Sequence, residues 1–196
     1  EPGIVDCDGK PVATGETRIF RLTERQYENT VRELMGLDTL DVTLTDDEEE
    51  APSALAVQKW NQTAADLVPA QAPWMNGYVT CTLGTNNTAC AKEFLTAFAT
   101  RAFRRALTAD EQNWLDATWA AMPADGTQSE KLAALVQSIL QAPQFIYLYP
   151  VGEVVPGAED GPLRLTGEEM AARLSYFFWD TLPDDELLAA AGDGSL

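Results

Sequence analysis

Four times in 196 residues the chain places Thr-x-x-Glu or Thr-x-x-Gln ahead of a stretch with helical spacing: Thr23 with Gln26, Thr108 with Glu111, Thr127 with Glu130 and Thr166 with Glu169. In such a box the threonine oxygen accepts the backbone N–H three residues on, and the glutamate or glutamine returns a bond to the threonine N–H, so each pair fixes where a helix starts. Apolar residues recur behind each box at intervals of three and four. They are Tyr27, Val31, Leu34 and Met35, closed by Gly36; Trp114, Leu115, Thr118 and Trp119; Leu132, Leu135, Val136, Ile139 and Leu140, stopped by Pro143; and Met170, Leu174, Phe177 and Phe178. Residues 53–68 add a stripe of Leu55, Trp60, Ala64 and Leu67, and Phe94–Glu111 one of Leu95, Phe98, Ala99, Ala102 and Phe103. Pro183 at a first helical position, followed by Asp184 and Asp185 at the positive end of the dipole, starts the last helix. No segment reads as a paired strand. The pattern predicts an all-α fold, an irregular array of about six to seven helices. Phe145–Tyr149, apolar on every side, is predicted to be buried throughout.

Charge and composition exclude more than they assign. Thirteen basic residues stand against 31 acidic ones, a formal net charge of −18, which repels nucleic acid and anionic membranes and favours cationic partners or a salty extracellular setting. The chain has no histidine. That removes Ser-His-Asp and Cys-His catalysis, His-ligated zinc and His-ligated haem from this chain. No apolar run reaches the length of a membrane span. Cys81 and Cys90 bracket TLGTNNTA, a connection too poor in apolar residues to fold alone, and are read as a disulfide rather than two thiols; this implies an oxidising compartment. Cys7 is left to pair elsewhere or stay free. The opening EPGIVDCDGKP has the look of a processed or trimmed start, so export rests on the cysteines.

The concentrated basic feature is Arg101, Arg104 and Arg105. At i, i+3 and i+4 of a helix, three guanidinium groups would share one flank and could clamp a carboxylate or phosphate, or else pair with the chain's own carboxylates. Arg173 lies in the last-but-one helix near Tyr176 and Trp179, with stacking or an ion pair to Glu169 as its two readings. Phe177, Phe178 and Trp179 in succession cannot share one helical face, so at least one points toward another unit. The run Asp46–Glu50 lacks the spacing and glycine of a calcium loop and reads as solvated. Carboxylate pairs such as Asp184 with Asp185, or Asp46 with Glu50, are too common here to single out a glycosidase site. The sequons at Asn61 and Asn86 are short patterns of little weight.

Three blocks, RLTERQYENTVRELMG at 21–36, FATRAFRRALTADE at 98–111 and LTGEEMAARLSYFFWDTLPDDELLAAAGDGSL at 165–196, together resemble the successive domains of unknown function in planctomycete-type cytochrome c-associated proteins, also found in myxobacteria. The resemblance implies an exported protein whose downstream region carries a Cys-x-x-Cys-His haem attachment motif. This chain would then supply the N-terminal units and the start of a third: 1–75, 76–160 with the cysteine loop and the arginine helix, and 161–196, following a Gly- and Pro-rich linker at 150–163. Two positions depart from the family pattern: Ala106 stands where proline commonly follows the arginines, and FIYLYP at 145–150 lacks the usual Arg and Glu. The implied function is a haem-free scaffold that docks against a haem-bearing remainder or partner subunit, with Arg101, Arg104, Arg105 and Arg173 as anion or partner contacts. A c-type haem is expected in the parent protein and none in this chain, with no catalytic residue and no metal site. The alternative is a cell-surface module for polysaccharide or protein, using tryptophans among Trp60, Trp74, Trp114 and Trp119.

Overall fold

The computed structural model describes residues 19–40, 42, 54–67, 73–84, 87–156 and 163–196. Cys7, the acidic run Asp46–Glu50 and Asn86 of the second sequon lie outside the described residues. The fold is mostly helical. In order come α1 (Glu24–Met35), α2 (Ala54–Leu67), a 3-10 helix (Pro73–Tyr78), α3 (Thr88–Phe103), α4 (Ala109–Ala121), α5 (Gln128–Leu140), the single turn α6 (Pro143–Ile146), α7 (Gly167–Phe178) and α8 (Asp185–Asp193). Beyond the expected helices are two short pieces, the 3-10 helix and α6. Strands β1 (Phe20–Arg21) and β2 (Tyr147–Leu148) form one antiparallel pair with Phe20 opposite Leu148. This pairing was not foreseen, because two residues are too few to show an alternating pattern.

All four capping boxes form, with both reciprocal bonds present in each. Helix α1 ends where glycine permits it: Gly36 adopts φ 60, and its N–H reaches back to Arg32 and Glu33 carbonyls. At the far end Asp184, rather than Pro183, sets the start of α8, its carboxylate accepting the Leu187 N–H at 2.8 Å. Pro183 sits one residue before the cap.

The core lies between α1, α3 and α5, with α2 against α5 and the 3-10 helix against α3. Tyr27, Val31, Leu34 and Met35 are buried as the spacing required, and so are Leu95, Phe98, Ala99, Ala102 and Phe103. Trp74 and Tyr78 lie over Phe94 and Phe98, with centroids 5.4–6.0 Å apart. Phe145 meets Tyr27 edge-on at 5.5 Å. Each such ring contributes about 1.5–3 kcal/mol by leaving water. The Cys81–Cys90 disulfide is formed and ties the approach to α3 onto its first turn.

Four packing expectations are corrected. Phe145 and Ile146 are buried, but the chain then extends into β2, so Tyr147 and Leu148 are half-buried and Tyr149 is exposed. On α2 the buried residues are Ala56, Trp60 and Ala64, leaving Leu55 outside; on α4 Leu115 is buried while Trp114 faces out. On α7 the face is rotated: Ala171, Ala172, Ser175 and Tyr176 are buried, and Met170, Phe177 and Phe178 are exposed. Small residues win there because α7 and α8 approach closely. A Cβ on Gly167 would lie 2.3 Å from the Ala191 carbonyl oxygen.

Candidate functional site

Helix α3 stops one residue before the second arginine. Arg104 takes φ 61 and ψ 20, the left-handed conformation glycine normally supplies at a helix end. Arg101, Arg104 and Arg105 therefore do not line one flank, and their guanidinium groups go to three different places. Each is met by the chain itself.

Arg104 turns inward and is 4% exposed. Its Nη1 donates to the Phe145 carbonyl at 3.1 Å and the Tyr176 hydroxyl at 3.3 Å, and its Nη2 to the carbonyls of Gln144 at 2.7 Å, Phe145 at 3.2 Å and Tyr147 at 3.1 Å. The guanidinium carbon also stands 5.5 Å from the Tyr176 ring centroid. Thr30 Oγ1 lies 2.9 Å from the Tyr176 oxygen and 2.6 Å from the Gln26 carbonyl. A carbonyl only accepts, so the threonine proton goes to Gln26 and the tyrosine proton to Thr30. The tyrosine oxygen is then open to the Arg104 N–H. One directed chain of bonds thus runs from Arg104 through Tyr176 and Thr30 to Gln26, joining the end of α3 and the α6–β2 segment to α7 and α1.

Arg105 makes a two-pronged pair with Glu111, 2.8 Å and 2.7 Å, and Glu111 also closes the α4 capping box on the Thr108 N–H at 2.9 Å. The bonds from Arg105 hold the Glu111 carboxyl down at about 2, the Thr108 contacts adding to this against the opposing effect of burial; Glu111 in turn raises Arg105. Arg101, in the last turn of α3, faces Glu33 at 3.4 Å and Asp185 at 3.3 Å. Nearby, burial pushes the Tyr78 hydroxyl up to about 12, with Arg101 opposing and Glu33 and Asp185 reinforcing. Arg173 does not pair with Glu169. It lies over the Phe20 ring at 5.8 Å, while the Glu169 carboxylate accepts the N–H groups of Thr166, Val151 and Gly152.

Sequence reasoning missed a second constellation, where α7 turns into α8. Asp180 has a positive φ of 54. Its carboxylate accepts from Arg25 and, at 3.3 Å, from Gln26, and its carbonyl from Asn29 at 3.3 Å. Thr181 donates to Glu33 at 2.8 Å, and Ser175 to the Thr181 carbonyl at 2.7 Å. Arg25, Gln26, Asn29 and Glu33 recur at helical spacing, so one stripe of α1 grips the whole turn. Immediately before it stand Phe177, Phe178 and Trp179, which are 81%, 65% and 64% exposed. Of the tryptophans considered for glycan binding, Trp60 is buried, Trp74 and Trp119 are half-buried against the core, and Trp114 alone is exposed.

The buried arginine node also coincides with what the chain is similar to. Residues 90–149 match the family described as PSD5, protein of unknown function (DUF1595), and residues 165–196 match PSD4, protein of unknown function (DUF1592). Both are domains associated with planctomycete cytochrome c-type proteins. No curated protein and no solved structure matches the chain. Arg104 and its three carbonyl partners fall in the PSD5-like stretch, Tyr176 in the PSD4-like stretch, and Thr30 outside both. Among the described residues, no helix is long and apolar enough to cross a membrane.

Proposed function

We propose that the chain is a haem-free helical scaffold and docking segment of an exported cytochrome c-associated protein, supporting electron transfer or redox chemistry in a haem-bearing region of the same protein or of a partner subunit. The observation that carries this reading is the Arg104–Tyr176 node, by which stretches similar to two cytochrome c-associated families are held together in a chain without histidine. Lacking histidine, and with Cys81 and Cys90 joined to each other, the chain has no Cys-x-x-Cys-His attachment motif of its own and supplies no imidazole ligand. Arg101, Arg104 and Arg105 are occupied with internal carbonyls and carboxylates, as suits a frame. The disulfide supports an extracytoplasmic location, since such bonds persist in oxidising compartments.

The test is the visible spectrum and pyridine haemochrome of the full-length protein carrying this segment, isolated from its native compartment. A c-type haem signal is the expected result. Full-length protein without haem would overturn the reading.

A further inference from the structure

We propose that Phe177, Phe178 and Trp179, together with the acidic start of α8, form a docking surface for a basic protein segment whose lysine or arginine side chains stack on the exposed rings. This names the surface used by the docking segment proposed above, and its biological setting rests on that reading. The binding event itself needs no haem.

The rings are in mutual contact while facing water. Phe177 and Phe178 are 4.9 Å apart at 89°, and Phe178 and Trp179 5.8 Å apart at 57°. Rings turned against one another make no flat platform for a sugar, but they present π faces and edges in several directions, as a cation and its aliphatic stem require. Their support is fixed, because the turn that follows is held by Arg25, Gln26, Asn29 and Glu33 of α1. Little further ordering is needed on binding, and large rings of this kind are the usual anchors of protein interfaces.

Charge selects the partner. Glu33, Asp180, Asp184, Asp185 and Glu186 cluster at this end of the α7–α8 hairpin, the last three in or beside the first turn of α8. Four cations stand near these five carboxylates: Arg25 pairs with Asp180 and Arg101 with Glu33 and Asp185, while Arg32, bonded to Asn29, and Arg173, over the Phe20 ring, keep their charge, so the carboxylates remain in slight excess. The positive end of the α8 dipole, equivalent to roughly half a charge, reduces this excess without reversing it. A second copy of a chain carrying −18 would bring like charges together, and an anionic membrane would be repelled in the same way. A basic, partly apolar protein segment meets both the rings and the carboxylates.

The test uses the full chain and two short amphipathic peptides, one of leucine and lysine and one of leucine and glutamate, with phosphatidylcholine vesicles and sedimentation as further arms. The variants are Phe177→Ser/Phe178→Ser/Trp179→Ser and Asp185→Asn/Glu186→Gln, all at exposed positions, with circular dichroism to verify folding. The lysine peptide is expected to bind, about tenfold more weakly to the triple aromatic variant and several-fold more weakly to the double acidic one. The glutamate peptide is expected not to bind. Equal binding of the lysine peptide to the aromatic variant would reduce the effect to net charge and overturn the proposal. So would equal binding of both peptides, or a triad that drives vesicle binding or self-association without peptide binding. The haemochrome result is independent of each of these outcomes.

Discussion

Replacing Arg104 with alanine tests the buried node directly. The substitution withdraws a charged donor from the carbonyls of Gln144, Phe145 and Tyr147, each costing about 1 kcal/mol when left short of a partner in a buried site. Loss of the contact with the Tyr176 ring adds about 0.5–1 kcal/mol. The Tyr176 hydroxyl keeps Thr30, so it adds little. The total is about 3–4 kcal/mol, or roughly 10 °C in melting temperature for a chain of this size. Alanine retains the left-handed strain at this position, whereas glycine releases about 1 kcal/mol of it. Arg104→Gly should therefore be about 1 kcal/mol more stable than Arg104→Ala while still well below the parent.

Urea unfolding followed by circular dichroism measures both variants. Because the donors go to neutral oxygens in a buried site, the deficit should change little between low and high salt, unlike that of a surface ion pair. A deficit under 1 kcal/mol for Arg104→Ala, or glycine no better than alanine, would refute the reasoning. A double-mutant cycle with Tyr176→Leu, which removes both the ring and the hydroxyl, should give a coupling above about 0.5 kcal/mol, since the two side chains touch.

Glu111 titrates at about 2 when folded against an ordinary 4.5, so its stabilisation is complete above about 4.5 and is lost as pH falls through about 2. Glu111→Gln should flatten this part of the acid unfolding curve, and parallel curves for parent and variant would contradict the Arg105 pairing. Removing the Cys81–Cys90 disulfide, which closes a short loop with a sequence separation of 9, should cost about 2–3 kcal/mol in urea unfolding; an unchanged midpoint would count against it. Gly167→Ala should destabilise by about 1–3 kcal/mol, because its new methyl group meets backbone at 2.3 Å and α7 must move off α8. Parent-like unfolding would mean that the two helices sit farther apart.

What was legible in the sequence was whatever is decided within one helical turn. The capping boxes at Thr23, Thr108, Thr127 and Thr166 are local chemistry, and each started a helix where the pattern placed it. The buried stripes of α1, α3 and α5 followed from periodicity because their cores carry large side chains. The arginine triplet failed at a helix terminus. Spacing of i, i+3 and i+4 has meaning only while the helix continues, and Arg104 ends it in a conformation that no propensity assigns to arginine. Its partners lie about 40 residues on, at Gln144–Tyr147, and at Tyr176, beyond the reach of any local rule. The α1 stripe that grips Asp180 was hidden for the same reason: Arg25, Asn29 and Glu33 read as an ordinary solvated face until the turn is placed against it.

Helix α7 shows what such a local rule cannot weigh. Periodicity selects the face with Met170, Leu174, Phe177 and Phe178, and burying its two phenylalanines would yield about 1.5–3 kcal/mol each. The chain instead buries Ala171, Ala172, Ser175 and Tyr176. Two contacts favour that choice: the close approach of Gly167 to Ala191, which large side chains would prevent, and the Tyr176 hydroxyl, which must reach Arg104 and Thr30. Neither requires the outward positions to be aromatic. Serine or glutamate at 177–179 would satisfy the same packing and leave less apolar surface in water. Packing among the described residues therefore does not account for Phe177, Phe178 and Trp179, as expected if they form the docking surface proposed above.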